Sequence, residues 1–423
     1  MTAPTPADDA PPPPPAAGAD LHAALHAAGA EFLPWGGSGV QIPAHFDAFE
    51  AEYAALRQRV GVLALPQTGL LELRGPDVKD HLHRLCTQEI NALTGGQSVR
   101  AFQLDERGCI TADVFVHHGD DSTWIEGDRH DLPGLAELIV GRQFTEDFTL
   151  ENITASRAAF WLVGPAAVQL LTAAADGTEA RAAAGRVGTT PGTHHVLNLT
   201  DATGVTAARR DLGGLLGVVL HVPAARAAAA WAALLRAAGH EPGVDPATLD
   251  PAAAAAFAER RRASLRGRPV GWEAYNTVRI EEGVPQQHVD FGPTNLPAEV
   301  PGPHGIDAAV SFTKGCYLGQ EVVARMKNLG HPKKLLVGFA VDDGDAVPAA
   351  GSPVQEAADA RDPDKVIGAV TSSTASPLAG QRPIGFAVVR WGRHRPGTAV
   401  RLPAGGGRVN ATVTALGGDA AGG

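Results

Sequence analysis

The stretch KGCYLGQE places Cys316 between the pair Lys314-Gly315 and Tyr317, with Gln320 and Glu321 one turn later. A thiol reacts as its thiolate. Two features of this spacing favour the charged form: a lysine two residues back, and the unbonded N–H groups of a helix start. Leu318, Val322, Met326 and Leu329 recur at helical spacing and predict that helix, with one face buried. On it, Gln320 shares a face with Cys316, and Glu321 reaches Arg325. Gly315 and Gly319 remove side chains, which lets a ligand or a second backbone approach the sulfur. A second reading stays open: most free cysteines are small apolar fillers.

Two further places carry charged groups in suggestive positions. Asp113 lies in GCITADVFV, and its plain reading is an aspartate at a strand or loop end. Arg279 and Glu281 lie in RIEEG, predicted helical, where an ordinary surface ion pair would contribute little. The three cysteines, Cys86, Cys109 and Cys316, are odd in number, far apart and without CxxC spacing. They imply no disulfide framework, no metal site of close cysteine spacing, and reduced thiols in the cytoplasm.

The elements that must position these residues follow from periodicity. Phe46, Phe49, Tyr53, Leu56 and Val60 mark an amphipathic helix. Next comes a strand, LLELR, then Gly75-Pro76, then a helix burying Val78, Leu82 and Leu85. The same phrase returns as AFWLV, Gly164-Pro165 and a helix, with strands VRAFQL, CITADVFVHH and STWIEG between the two. This repetition implies two duplicated α+β units. LLGVVLHVP and an alanine-rich helix follow, then an insertion over 240–270. From Leu335 onward, short strands separated by Gly, Pro and Asp turns predict a small antiparallel barrel.

Residues 1–30 are proline- and alanine-rich and read as a disordered tail without a secretory signal. The domains expected are 31–333, an α+β region of two subdomains, and 334–416, a β-barrel, with 417–423 a flexible end. No apolar run is long enough to span a bilayer. The net charge of −11 excludes a general nucleic-acid binder, so no direct nucleic-acid contact and no membrane are expected.

KGCYLGQE resembles the signature K-G-C-(Y/F)-x-G-Q-E of the YgfZ family, the folate-binding relatives of the glycine-cleavage aminomethyltransferase (T-protein). YNTVRIEEGVPQQHVDFGPTNLPAEV resembles that family's R-(I/L)-E-x-G-x-P … P-x-E segment, and the run from Tyr53 to Gln97 resembles the opening of both families. The resemblance extends from about Glu31 to Leu416. It implies duplicated ferredoxin-like modules of the folate-binding type around a central cavity, capped by the barrel. It further implies tetrahydrofolate as ligand and iron–sulfur enzymes, including tRNA-modifying ones, as client partners of an assembly or repair factor. Cys316 would be the working thiol, and Arg279 and Glu281 would lie near the ligand cavity.

The close alternative is a folate-dependent aminomethyltransferase, for which Asp113 stands at the place of the catalytic aspartate. One departure counts against it. Where the transferase carries an acidic residue for the pterin, this chain has DLGGLLGVVLHV, with Leu215, Leu216 and Val219. A non-enzymatic iron–sulfur carrier, sharing a cluster between two chains, is a third reading. A cysteine hydrolase is a fourth, and no local pattern ties a histidine to Cys316.

Overall fold

The protein is described by a computed structural model covering residues 16–36, 39–240, 248–263, 265–357 and 365–417. Two sheets and a barrel account for most strands. The first sheet runs in the order Gln97–Leu104, Ile110–His118, Thr123–Asp128, Thr68–Arg74, Thr149–Asn152. The second runs His194–Leu199, Ala202–Arg209, Gly217–Pro223, Arg157–Val163, Gly61–Ala64, Arg268–Pro269. The shared order is the duplication expected from the repeated strand–Gly-Pro–helix phrase. In each unit the strand before the Gly-Pro pairs with the last strand of the meander that follows.

The two glycines of the phrase do the same work. Gly75 has φ +142° and Gly164 φ +127°. A Cβ on Gly75 would lie 2.3 Å from the Asp147 carbonyl oxygen, and one on Gly164 would lie 2.7 Å from that of Arg59. Only glycine lets the turn pass so close to a neighbouring backbone. Helices Val78–Leu85 and Ala167–Ala174 follow and bury their apolar faces against the respective sheets.

The C-terminal strands close into a six-stranded antiparallel barrel, beginning with Lys334–Val341 and ending with Gly407–Thr414, which pair with each other. Its interior is apolar, from Val337 and Phe339 to Val413. This is the α+β fold with terminal barrel that the sequence predicts.

Order begins earlier than composition suggests. Helix Ala16–Ala27 lies within the segment read as a tail, and Leu21 and Leu25 are buried against the core around Trp231. Burying a leucine fully stabilises by roughly 2 kcal/mol. Two leucines one turn apart therefore outweigh an alanine-rich composition. Residues 1–15 and 418–423 lie outside the described residues, as does 241–247 of the insertion; helix Pro251–Ala263 occupies much of the rest.

Candidate functional site

Strand Ile110–His118 alternates strictly until its end: Ile110, Ala112, Val114 and Val116 are buried in the apolar interior. The period of two sends Asp113, Phe115 and His117 to the other face. Register then sets their neighbours. Ser98 lies opposite His117, Arg100 opposite Phe115, and Glu126 opposite Phe115 on the far side. This polar face looks toward the second unit and forms one wall of an open cavity. The lining also carries Trp161, Tyr275 and Trp272, with the Tyr275 ring packed against the two indoles at 5.8 and 5.5 Å.

Every carboxylate on this wall is engaged. Asp113 accepts from Arg100 Nε at 2.8 Å and Nη2 at 2.6 Å, while the Asp113 N–H donates to Gln287 Oε1 at 2.6 Å. The third Arg100 donor, Nη1, reaches the His304 carbonyl at 2.9 Å. Arg100 is largely shielded from solvent, which lowers its pKa, yet the Asp113 carboxylate holds it above the ordinary value. Glu126 accepts from both terminal nitrogens of Arg210 and from Nε2 of His117 and His221 at 3.1 and 2.9 Å. Despite burial, the Arg210 charge and these donors hold its carboxyl well below the usual range. Asp128 accepts from the Trp35 indole at 2.7 Å, and Asp211 from Arg209 and the Gly217 N–H.

His117, Glu126 and His221 are also the group among the described residues whose atoms lie close enough to hold a metal ion. The geometry favours hydrogen bonding instead, because the Arg210 guanidinium already neutralises the carboxylate that would have to bind the ion. No cysteine belongs to this group.

The cysteine motif lies elsewhere; none of its residues lines the cavity. The helix runs Gln320–Leu329, so Cys316 sits four residues before it, exposed, in an irregular segment. The sequence predicts a thiol at or just before the first helical turn; the helix starts later than that spacing implies, which leaves Cys316 upstream of its N-terminal N–H groups. The motif's other residues shape and hold that segment. Lys314 Nζ donates to the carbonyls of His83, Cys86 (2.7 Å) and Gln88 (3.1 Å), capping helix Val78–Leu85. Burial pulls its pKa down to about 8.

Gln320 does not stack beside Cys316; its Oε1 accepts the Tyr317 N–H at 3.2 Å. Tyr317 packs on the cluster around Phe102 and Val323, and burial pushes its hydroxyl up to about 12. Gly319 has φ +80° and lies against the 105–108 turn, where a Cβ would sit 2.8 Å from the Asp105 oxygen. Gly315 and Glu321 are exposed. The helix buries Val323, with Val322 and Met326 only half-buried. Of the predicted face, Leu318 precedes the helix and the Leu329 side chain lies outside the described residues.

Arg279 and Glu281 are neither a surface pair nor part of the cavity wall. Helix Trp272–Glu281 buries both. Arg279 donates to Asp290 at 2.6 Å with both side chains fully buried, and Asp290 also accepts from Thr371 and Ser372 of the barrel. Glu281 accepts from Tyr53 at 2.8 Å, from Arg57 and from Ser376. The two residues fasten the barrel to the α+β region. The groups that do line the cavity, Arg100, Glu126 and Arg210, are not singled out by sequence reasoning. The period-two face shared by Ser98, Arg100, Asp113, Phe115 and His117 was the available signal for the first unit; nothing local points to Arg210.

Residues 21–258 match the GCVT N-terminal domain, and residues 334–417 match the glycine cleavage T-protein C-terminal barrel domain. The chain belongs to the glycine cleavage T-protein family. The T-protein relatives it resembles include a probable aminomethyltransferase of Halobacterium salinarum, 28% identical over 93% of this chain and 96% of the relative. An aminomethyltransferase of Prosthecochloris aestuarii is 26% identical over 90% and 93%. The fold matches the crystal structure of glycine cleavage system aminomethyltransferase T from Bartonella henselae, with a TM-score of 0.72, 20% identity, and 94% and 96% of the two chains covered. These matches support the kinship with the glycine-cleavage T-protein that the sequence offered as its close alternative; they do not bear out the assignment to the YgfZ family. Within this T-protein fold, the apolar part of the stretch noted in the sequence is a packing feature: Val219 is fully buried beside Trp161 and Tyr275, while Asp211 at the head of the same stretch lines the cavity. Among the described residues no helix is long and apolar enough to cross a membrane.

Proposed function

We propose that the cavity takes a tetrahydrofolate and serves one-carbon transfer of the aminomethyltransferase kind. The observation that carries this reading is the placement of Asp113, which lines the same cavity as an aromatic surface of Trp161, Trp272 and Tyr275. The residues suit such a ligand. Trp161, Trp272 and Tyr275 offer flat apolar surface, and buried polar atoms without protein partners, Arg210 Nε and Gln67 Oε1, belong to residues on the same lining. A bound tetrahydrofolate supplies an amine that accepts the one-carbon unit. Asp113 is the group that can orient that amine and hold its proton, provided Arg100 shares it. Relatives named aminomethyltransferase over nearly the whole chain support the same reading.

Calorimetric titration with tetrahydrofolate and its 5-formyl derivative tests the reading, paired with an aminomethyl-transfer assay on Asp113→Asn. Binding with transfer lost in the variant supports it. Absence of binding to the unaltered protein sinks it.

A second reading is favoured by one specific observation: Cys316 is exposed, outside the cavity, on a segment that Lys314 pins to a helix end. On this reading the protein is a YgfZ-type accessory factor for iron–sulfur enzymes, with folate in the cavity and Cys316 as the working thiol. Cys316→Ala would then abolish support of client enzymes while folate binding persists. The carrier alternative is tested by an absorption spectrum of protein purified without oxygen.

A further inference from the structure

A continuous run of hydrogen bonds crosses from the second unit to the cavity wall. Glu126 is ionised and can only accept, so His117 and His221 must each carry a proton on Nε2. Burial keeps His117 neutral, so its Nδ1 is an acceptor and takes the Ser98 hydroxyl at 2.8 Å. The same Ser98 oxygen then accepts from His194 Nδ1 at 2.9 Å. All tautomers are thereby set, with no conflict along the chain. His117, Glu126 and His221 are almost wholly buried.

What this network holds is Arg210. Its guanidinium lies 3.7 Å over the Phe115 ring and lines the cavity. A guanidinium has five N–H donors. Glu126 takes two of the five, and the Nε–H is buried with no partner in the protein. Each terminal nitrogen keeps one N–H beyond those given to Glu126, and on a residue that lines the cavity these are the donors that can meet an acceptor on the ligand.

We propose that Ser98, His117 and His221 are positioning residues that act through Glu126 to hold Arg210 against the cavity, where it donates to an acceptor oxygen of the bound ligand. The acceptor is a carboxylate or a ring carbonyl. Both chemistries occur in a folate, and the inference rests on the folate reading given above.

Calorimetry with three probes separates the sources: tetrahydrofolate, p-aminobenzoylglutamate (carboxylates without a pterin) and 6-methyltetrahydropterin (ring carbonyl without glutamate). Because Arg210→Met alone strands the Glu126 charge, the main variant is the neutral pair Arg210→Met/Glu126→Gln, with Arg210→Lys as a charge-keeping control. The neutral pair is expected to weaken tetrahydrofolate about tenfold or more, the usual scale for losing a charge-assisted hydrogen bond. It should also weaken only the fragment carrying the acceptor. Ser98→Ala should weaken binding by about threefold to tenfold in the natural background and not at all in the neutral pair, a non-additivity that a merely structural role would not produce.

Tetrahydrofolate binding that is equal in the natural protein and the neutral pair overturns the proposal and leaves the folate reading standing. Additive losses overturn the positioning role. If no probe binds the natural protein, both fall together.

Discussion

Arg100 lies along Asp113 on the cavity wall, donating to both carboxylate oxygens at 2.8 and 2.6 Å, and both side chains are largely buried. A carboxylate so held is oriented but not free. Removing one partner of a buried pair leaves an uncompensated charge and costs about 3 kcal/mol. Arg100→Met should therefore destabilise by about that much, and the double variant Arg100→Met/Asp113→Leu should regain most of it. Urea denaturation midpoints of the four proteins test this, and an additive double variant would show that the pair is not coupled.

The fully buried Arg279–Asp290 pair fastens the barrel to the α+β region. Asp290→Asn should cost about 3 kcal/mol, by the same reasoning. Because neither residue lines the cavity, folate affinity should stay within about twofold at temperatures where the variant is folded. A large loss of affinity without loss of stability would place Arg279 in the binding site after all.

Acid should loosen the contact between the two units. Burial and the neighbouring histidines, His117 first, pull His194 down to about 3. Between its ordinary value of 6.5 and about 3, the unfolded chain binds more protons than the folded one, so stability falls as pH drops through that window. Above it, the contribution is fully present. His194→Asn, whose amide can still donate to Ser98, should flatten the slope of unfolding free energy against pH between 6.5 and 3. Superimposable curves would show that His194 carries none of it.

Gly319 sits at φ +80° against the 105–108 turn. Gly319→Ala adds both a left-handed backbone penalty and a Cβ 2.8 Å from the Asp105 oxygen, for a loss of about 2 kcal/mol. Hydrogen exchange should show the loss first in helix Gln320–Leu329, which that close approach seats. Unchanged protection there would mean the helix is held otherwise.

Cys316 is exposed, Cys109 half-buried and Cys86 buried with its thiol pushed up to about 12. Iodoacetamide followed by mass spectrometry should label Cys316 first, Cys109 slowly and Cys86 only on unfolding. Cys316→Ala should leave stability within about 0.5 kcal/mol, as for an exposed side chain without partners to lose. A strongly destabilised variant would restore the filler reading of this cysteine.

The elements of this fold are legible in the chain because they depend on short-range geometry. A period of two in GCITADVFVHH, a period of 3.6 after each Gly-Pro, and turn residues between barrel strands each report backbone constraints within a few residues. Asp113 could be assigned to a strand face on that basis. Helix Ala16–Ala27 escaped because its helical signal rests on two leucines in an alanine-rich run, and its stability comes from the core it meets.

The site itself was decided by tertiary structure. Arg210 reaches Glu126 across 84 positions of chain, and His221 reaches it across 95. No local pattern encodes such a meeting; it depends on the register of two sheets and on how they pack. The same holds for the cysteine motif. Its residues are recognisable in sequence, yet only packing against helix Val78–Leu85 and the 105–108 turn places Cys316 outside the cavity. Side-chain spacing along one element follows from backbone geometry, whereas the partner across a cavity is chosen by whatever the rest of the chain folds against it.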